Sequence, residues 1–292
     1  MRITRNNLVY SMDRENKAVA TIDSGTRVIF ETCDCFEDQI NSEDMPPEKL
    51  DWKRINPATG PISIKGANPG DTLEVLIEEI NVSAQATIVS GPEMGIADDK
   101  LIGKKIKIFK VKDNTLYFNK KILIKVDPMI GVIGTAPSGN PISNSTPGFH
   151  GGNMDTKVIR KGAKIYLPVE VEGGLLSMGD LHASMGDGEI SGCGAEIAGE
   201  VIVTVNLITG RPYPLPFIID EKSVYTVYSA EKLDDAAEGA AKAMTNHLES
   251  KGMDRHSAIC LLSLTGNLQI SQVVDPLKTA RLELSREIYE KV

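Results

Sequence analysis

Short apolar runs broken by Gly, Pro, Asn and Asp fill the first two thirds of the chain, which is the pattern of many strands joined by tight turns. Residues 26–32 (TRVIFET) read as a strand, and so do residues 71–80, where apolar and polar positions alternate from Leu73 to Ile77 behind an Asn68-Pro69-Gly70-Asp71 turn. Residues 105–111, 115–118 and 121–126 read as a meander. Lysines alternate there with Ile106, Ile108, Phe109 and Val111, so the first strand has a wet face rather than a binding patch. Residues 127–200 are rich in Gly and Pro, and strands at 163–170 and 200–207 frame them. Past Pro212-Tyr213-Pro214-Leu215-Pro216 the pattern changes. Residues 217–228 read as a strand. Residues 231–250 carry Leu233, Ala237, Ala240, Met244 and Leu248 at helical spacing, with Ser229 as the expected N-cap and Gly252 as the stop. Two strands are expected at 257–264 and 268–274, and a last helix from Pro276 to about Tyr289. The expected fold is α+β, mainly β. A β-sandwich or barrel-like body spans 1–215, and a C-terminal α+β subdomain, 216–292, contributes to the same unit.

A chain of 292 residues can bury a core without disulfides or structural metal. The formal net charge of −8 argues against nucleic acid and anionic membrane surfaces as partners. No run approaches the roughly 18 apolar residues of a membrane span, and the N-terminal residues lack the apolar stretch of a leader. Cys33 and Cys35 share a strand face, too close to pair comfortably, and no CxxC pair occurs, so the four cysteines fit a reducing, cytoplasmic setting.

The polar side chains with chemical potential gather in the Gly-rich segment. His150 and His182, two of the four histidines, stand there with Asp155, Asp180, Asp187, Glu189 and Glu196. Mixed imidazole and carboxylate groups suit Zn²⁺ or a similar ion. The Asp180-x-His182 spacing puts both side chains on one face of an extended segment. The plainer reading is that Asp-Gly turns with stray acids are common, and Asp187-Gly188 is itself a hairpin signal. His247, late in the long helix, reads as structural. Cys193 is the competing nucleophile. A thiolate needs a cationic neighbour, and no Lys or Arg lies between Lys164 and Arg211, so a small buried Cys is the better reading.

Several strings together resemble the acetamidase/formamidase family. They are ETCDCF (31–36), NPATGPI (56–62), GANPGD (66–71), PMIGVIG (128–134), HGGNMD (150–155), GDLHA (179–183) and GDGE (186–189). Met185 departs from the Gln of some members, which bears on substrate preference. The resemblance implies hydrolysis of short aliphatic amides to ammonia and a carboxylate, a β-rich fold, a bound divalent metal and a homo-oligomer, dimer or higher.

On that reading Asp155, Asp180, His182 and Glu196 are the expected metal ligands. Zn²⁺ is the expected ion, with a second such as Ca²⁺ alongside. Glu31, His150 and Asp187 are the expected catalytic side chains: Glu31 as ligand or general base, His150 as oxyanion donor or further ligand. Two other readings stay open at this point. One is a thiol amidase using Cys193, and the other is a non-enzymatic β-rich protein that binds a small ligand.

Overall fold

The alternation read around Leu73 becomes strand Thr72–Val82, the spine of the first of two large sheets in a computed structural model that describes residues 1–97 and 99–292. Leu73, Val75 and Ile77 are fully buried while Glu74 and Glu78 keep to the wetter face. Gly199–Ile208 pairs with it on one side and Lys164–Pro168 on the other, with Thr26–Thr32 beyond Gly199–Ile208. The second sheet is built around Leu176–His182. It pairs with Met129–Gly134 along one edge and with Ala58–Ile64 and Glu196–Ile197 along the other. Every residue of Met129–Gly134 and Leu176–His182 is buried, so neither strand alternates. Val28, Phe30, Val203, Ile62, Ile133 and Leu181 share the core between the sheets.

The tail extends the first sheet. Phe217–Ile219 pairs with Lys164–Pro168, and the ladder continues through Ser223–Ala230, Lys278–Ser285 and Asn267–Gln272. Helix α1, Leu233–Ser250, lays Ala240, Met244 and Leu248 over Phe217, Val224 and Leu284. Each of the larger side chains contributes about 1.5–3 kcal/mol by leaving water.

Four local expectations are corrected. Residues 217–228 are not one strand but the start of a hairpin, in which Phe217–Ile219 pairs antiparallel with Ser223–Ala230. Ser229 does not cap α1. It belongs to strand Ser223–Ala230, where its Oγ pairs with Thr279 Oγ1 at 2.9 Å, and Lys232 occupies the cap position. Residues 255–265 are not a strand but helix α2, Arg255–Thr265, started by Asp254, whose Oδ1 accepts the Ser257 N–H at 3.1 Å. Pro276 opens no helix. Lys278–Ser285 is a strand paired on both sides, and only Arg286–Tyr289 is helical, as α3. The helix-forming Leu, Glu and Arg of that run are overridden by a sheet that supplies partners to both edges. No helix among the described residues is long and apolar enough to cross a membrane.

Candidate functional site

Pairing of Leu176–His182 with Glu196–Ile197 sets His182 directly opposite Glu196. His182 Nε2 lies 3.3 Å from Glu196 Oε2, 3.5 Å from Asp180 Oδ1 and 3.7 Å from Asp155 Oδ1. Asp155 arrives from the turn after strand Gly151–Asn153, and Glu189 from the loop after Gly186-Asp187-Gly188. Potential ligand atoms of Asp155, His182 and Glu189 lie within 4.8 Å of one another, and so do those of Cys35, Asp180 and Glu196. Asp275, Asn153 and Cys193 join these acids around a cavity of about 130 Å³, whose apolar wall is Phe36, Trp52, Ile55 and Met94.

The backbone is bent to make this arrangement. Asp155, Asp180 and Glu189 have φ of +38°, +54° and +49°, in the left-handed region. Each such residue costs on the order of 1–3 kcal/mol and persists only where its surroundings over-determine it, which happens most at functional sites. Two glycines leave the room. A Cβ on Gly131 would come 2.5 Å from Asp155 Oδ1 and 2.7 Å from Asp180 Oδ2, and one on Gly194 would come 2.4 Å from His182 Nδ1.

Burial first, and then the charge of Asp180, pushes Glu196 up to about 8 and Asp155 up to about 7, with His182 pulling both down. Burial and the charge of Asp155 push Glu189 and Asp275 well above the carboxylate range. Burial works against a charge on His182, but Glu196 and Asp180 outweigh it and hold the imidazole well above its usual range. Asn153 Oδ1, Asp155 Oδ1, Asp180 Oδ1, His182 Nδ1, Glu196 Oε2 and Asp275 Oδ2 are buried without a hydrogen-bond partner. Unpartnered buried polar atoms are uncommon and call for an explanation. Gathered acids with one imidazole are donor types that can hold a divalent cation.

The four sequence-derived ligand candidates, Asp155, Asp180, His182 and Glu196, therefore come together, and the other three candidates lie elsewhere. Glu31 faces a separate groove, where Arg2 Nη1 holds it at 2.6 Å and also pairs with Glu200. Asp187 is 32% exposed at its side chain and is paired with Arg281 and Lys157. It lines a neighbouring apolar groove of about 500 Å³, not the acid cavity. His150 is fully buried, lies against Gly134, Gly148 and Gly152, and does not line the cavity. The fold adds Cys35, Asn153, Glu189 and Asp275. Glu189 sat in the Gly-rich segment and Cys35 in a family string. Asp275 lies beyond an apolar strand with nothing local to mark it.

His150 has no partner for either ring nitrogen, and His247 bonds Tyr289 Oη through Nε2 at 2.8 Å. Burial lowers both to about 4, with Lys251 adding to the effect at His247. Folded-state values below the unfolded value of about 6.5 mean that the unfolded chain takes up protons first as pH falls. Stability from these rings is present above pH 6.5 and is lost towards pH 4. The drop in melting temperature between pH 6.5 and pH 4.5 should therefore be smaller in His247→Asn than in wild type, and parallel curves would refute this.

The class of molecule is now defined: a mainly β α+β protein with a small, acid-rich, partly apolar cavity suited to a small substrate. The model of the acetamidase/formamidase family matches residues 11–145 and 143–291, and the chain belongs to that family. A crystal structure of an acetamidase from Bacillus halodurans is 46% identical, with a TM-score of 0.98 over 100% of this chain and 99% of that one. A crystal structure of a predicted acetamidase/formamidase from the thermophile Thermoanaerobacter tengcongensis is 43% identical, with a TM-score of 0.97 over 99% of this chain and 97% of that one. A Schizosaccharomyces pombe protein provisionally named a formamidase is 30% identical over 249 residues; the match takes in 64% of this chain and spans 61% of that relative's length.

Proposed function

We propose that this chain hydrolyses short aliphatic amides, formamide and acetamide among them, to ammonia and the carboxylate, with a divalent cation held by Asp155, Asp180, His182 and Glu196. The observation that carries the proposal is the convergence of unpartnered buried oxygens on a single small cavity, with His182 Nε2 within 3.7 Å of three of the acids that line it. The acetamidase name of the Bacillus halodurans neighbour and the cavity's size support the substrate. Roughly 10–15 Å³ of such space holds one water, so the cavity takes a handful of heavy atoms and no long chain. Phe36, Trp52, Ile55 and Met94 offer an apolar wall to a hydrogen or methyl on the acyl carbon. Zn²⁺ fits the imidazole, carboxylates and the nearby Cys35, and the two neighbouring ligand sets leave room for a second ion such as Ca²⁺. Family membership supports a homo-oligomer, and the unpaired cysteines support a reducing, cytoplasmic setting.

When bound, the ion supplies Lewis acidity that polarises a carbonyl and acidifies water. The chain's own residues do the rest. Asp180 and His182 come from one buried strand and hold fixed positions. Glu189 and Asp275 face the same cavity, and one of them, as the carboxylate, takes the proton from the attacking oxygen and hands it to the leaving nitrogen. Ammonia release from formamide and acetamide, measured with metal content before and after chelation, tests the proposal. Full turnover after complete metal removal would exclude the metal, and no turnover of either amide by metal-replete protein would exclude the substrate class.

Cys193 touches the same cavity, but burial, and next the charge of Glu196, pushes its thiol well above the usual range. His182 pulls the thiol down, but burial and the neighbouring Glu196 and Glu189 outweigh it. Cys193→Ala should keep turnover within about tenfold, a barrier change of about 1.4 kcal/mol. Loss of a covalent nucleophile costs several orders of magnitude. A folded, metal-bound Cys193→Ala protein with background activity would decide for the thiol.

A further inference from the structure

Arg281 is the largest side chain that the fold buries completely, at 1% exposure, and it lies in the tail strand Lys278–Ser285. Each of its three nitrogens donates a hydrogen bond. Nε donates to Gln269 Oε1 at 2.7 Å, Nη1 to Asp187 Oδ1 at 2.9 Å and Nη2 to Asp187 Oδ2 at 2.8 Å, and Nη1 also reaches Ser271 Oγ at 3.2 Å. This is the two-pronged arginine–carboxylate geometry, which fixes direction as well as distance. Lys157 Nζ adds a third contact to Asp187, at 2.9 Å. A buried arginine is expensive to desolvate, and a hydrophobic residue is often as stabilising. Two residues past the carboxylate it holds stands Glu189, in the left-handed region and 6% exposed, with its carboxylate beside Asp155 and His182.

The loop between them is tied to the same tail. Gly188 N–H donates to Ser271 O at 2.8 Å, and Val273 N–H donates to Gly188 O at 3.3 Å. Ser271 Oγ also pairs with Thr156 Oγ1, next to Asp155. The tail strands thus grip the site on both flanks, and the Asp187–Arg281 pair is the charged part of that grip.

We infer that Asp187 and Arg281 are positioning residues. Their pairing sets the 186–189 loop so that Glu189 enters the cavity beside His182. The inference rests on the hydrolytic reading above for Glu189's role, while the positioning itself is a matter of geometry. A loop displaced by about 1 Å can cost about a hundredfold in rate, so Asp187→Asn should lower kcat/KM about ten- to a hundredfold while bound metal is retained. Glu189→Gln removes the group that the pair positions. If the pair acts through Glu189, adding Asp187→Asn to Glu189→Gln lowers kcat/KM no further, whereas a merely structural role makes the two losses multiply.

Asp187→Asn leaves Arg281 without its counter-charge. Should that chain fail to fold, Asp187→Asn/Arg281→Met removes both charges together and takes its place in the cycle. A crystal structure of the substituted protein reads the position directly. The expected result is a Glu189 carboxylate out of reach of His182. A Glu189 unmoved from its place, or losses that multiply, overturns the inference. A wild type that hydrolyses no amide overturns the hydrolytic reading instead, and the crystal structure still decides the positioning.

Discussion

On the proposed metal-dependent reading, His182→Ala should yield a folded protein that has lost its divalent ion and about a thousandfold or more of its amide turnover. The ring is 1% exposed and lies within 3.7 Å of three carboxylates, so the substitution removes the one basic group from a nest of acids. Lewis-acid stabilisation of the transition state supplies several kcal/mol, and each 1.36 kcal/mol is a factor of ten. Asp180→Ala should do the same, because Asp180 shares the strand and its Oδ1 lies 3.5 Å from His182 Nε2. The two substitutions need not destabilise alike. Deleting one acid relieves repulsion among the rest, whereas deleting the imidazole increases it, so metal-free Asp180→Ala should melt above metal-free His182→Ala. Metal content by elemental analysis, ammonia release and a melting curve for each variant settle the matter. If the His182→Ala/Asp180→Ala protein keeps both full metal occupancy and wild-type turnover, the ligand assignment is wrong.

The sequence made the strand-rich body legible because period-two burial is local. Leu73, Val75 and Ile77 announce one face of one sheet without help from the rest of the chain. The long helix was equally plain from Ala240, Met244 and Leu248. Residues 278–285 were not legible, since their helix-forming composition is overruled by two neighbouring strands that only the folded chain provides. The site divides in the same way. Asp180 and His182 are two apart on one strand, and Asp155 and Glu196 share their Gly-rich segment, so spacing and density exposed them. Asp275 reaches the cavity from the far end of the chain through Gln272, whose Oε1 accepts the N–H groups of Val274 and Asp275 at 2.9 and 3.0 Å. No local pattern encodes such a contact. Glu31 shows the reverse. It stands one strand position from Thr32 and close in sequence to Cys35, yet strand alternation turns its carboxylate out to Arg2.

Gly131→Ala tests the cavity's geometry without removing any of its charges. Gly131 lies inside the fully buried strand Met129–Gly134, between the paired positions Ile130–Leu181 and Val132–Gly179. The added methyl would stand 2.5 Å from Asp155 Oδ1, 2.7 Å from Asp180 Oδ2 and 2.9 Å from the Asp180 carbonyl oxygen. Real Cβ atoms do not come so close, so both carboxylates must swing away or the strands must part. The carboxylates are the softer element, because the backbone is held by ladders on both sides of Leu176–His182. Altering the support of metal ligands typically costs 10–100-fold in affinity or activity, and here two of the proposed ligands are displaced at once. Divalent-ion affinity and kcat/KM should therefore each fall about a hundredfold, with the fold retained. Gly139→Ala is the matched control, since its methyl would meet nothing within 4 Å. Competition against a chromophoric chelator gives the affinity, and ammonia release gives the rate. A Gly131→Ala protein that binds metal and turns over amide as well as Gly139→Ala does would mean that Asp155 and Asp180 need not hold these positions, and the cation site would have to be sought among Cys35, Glu189 and Glu196.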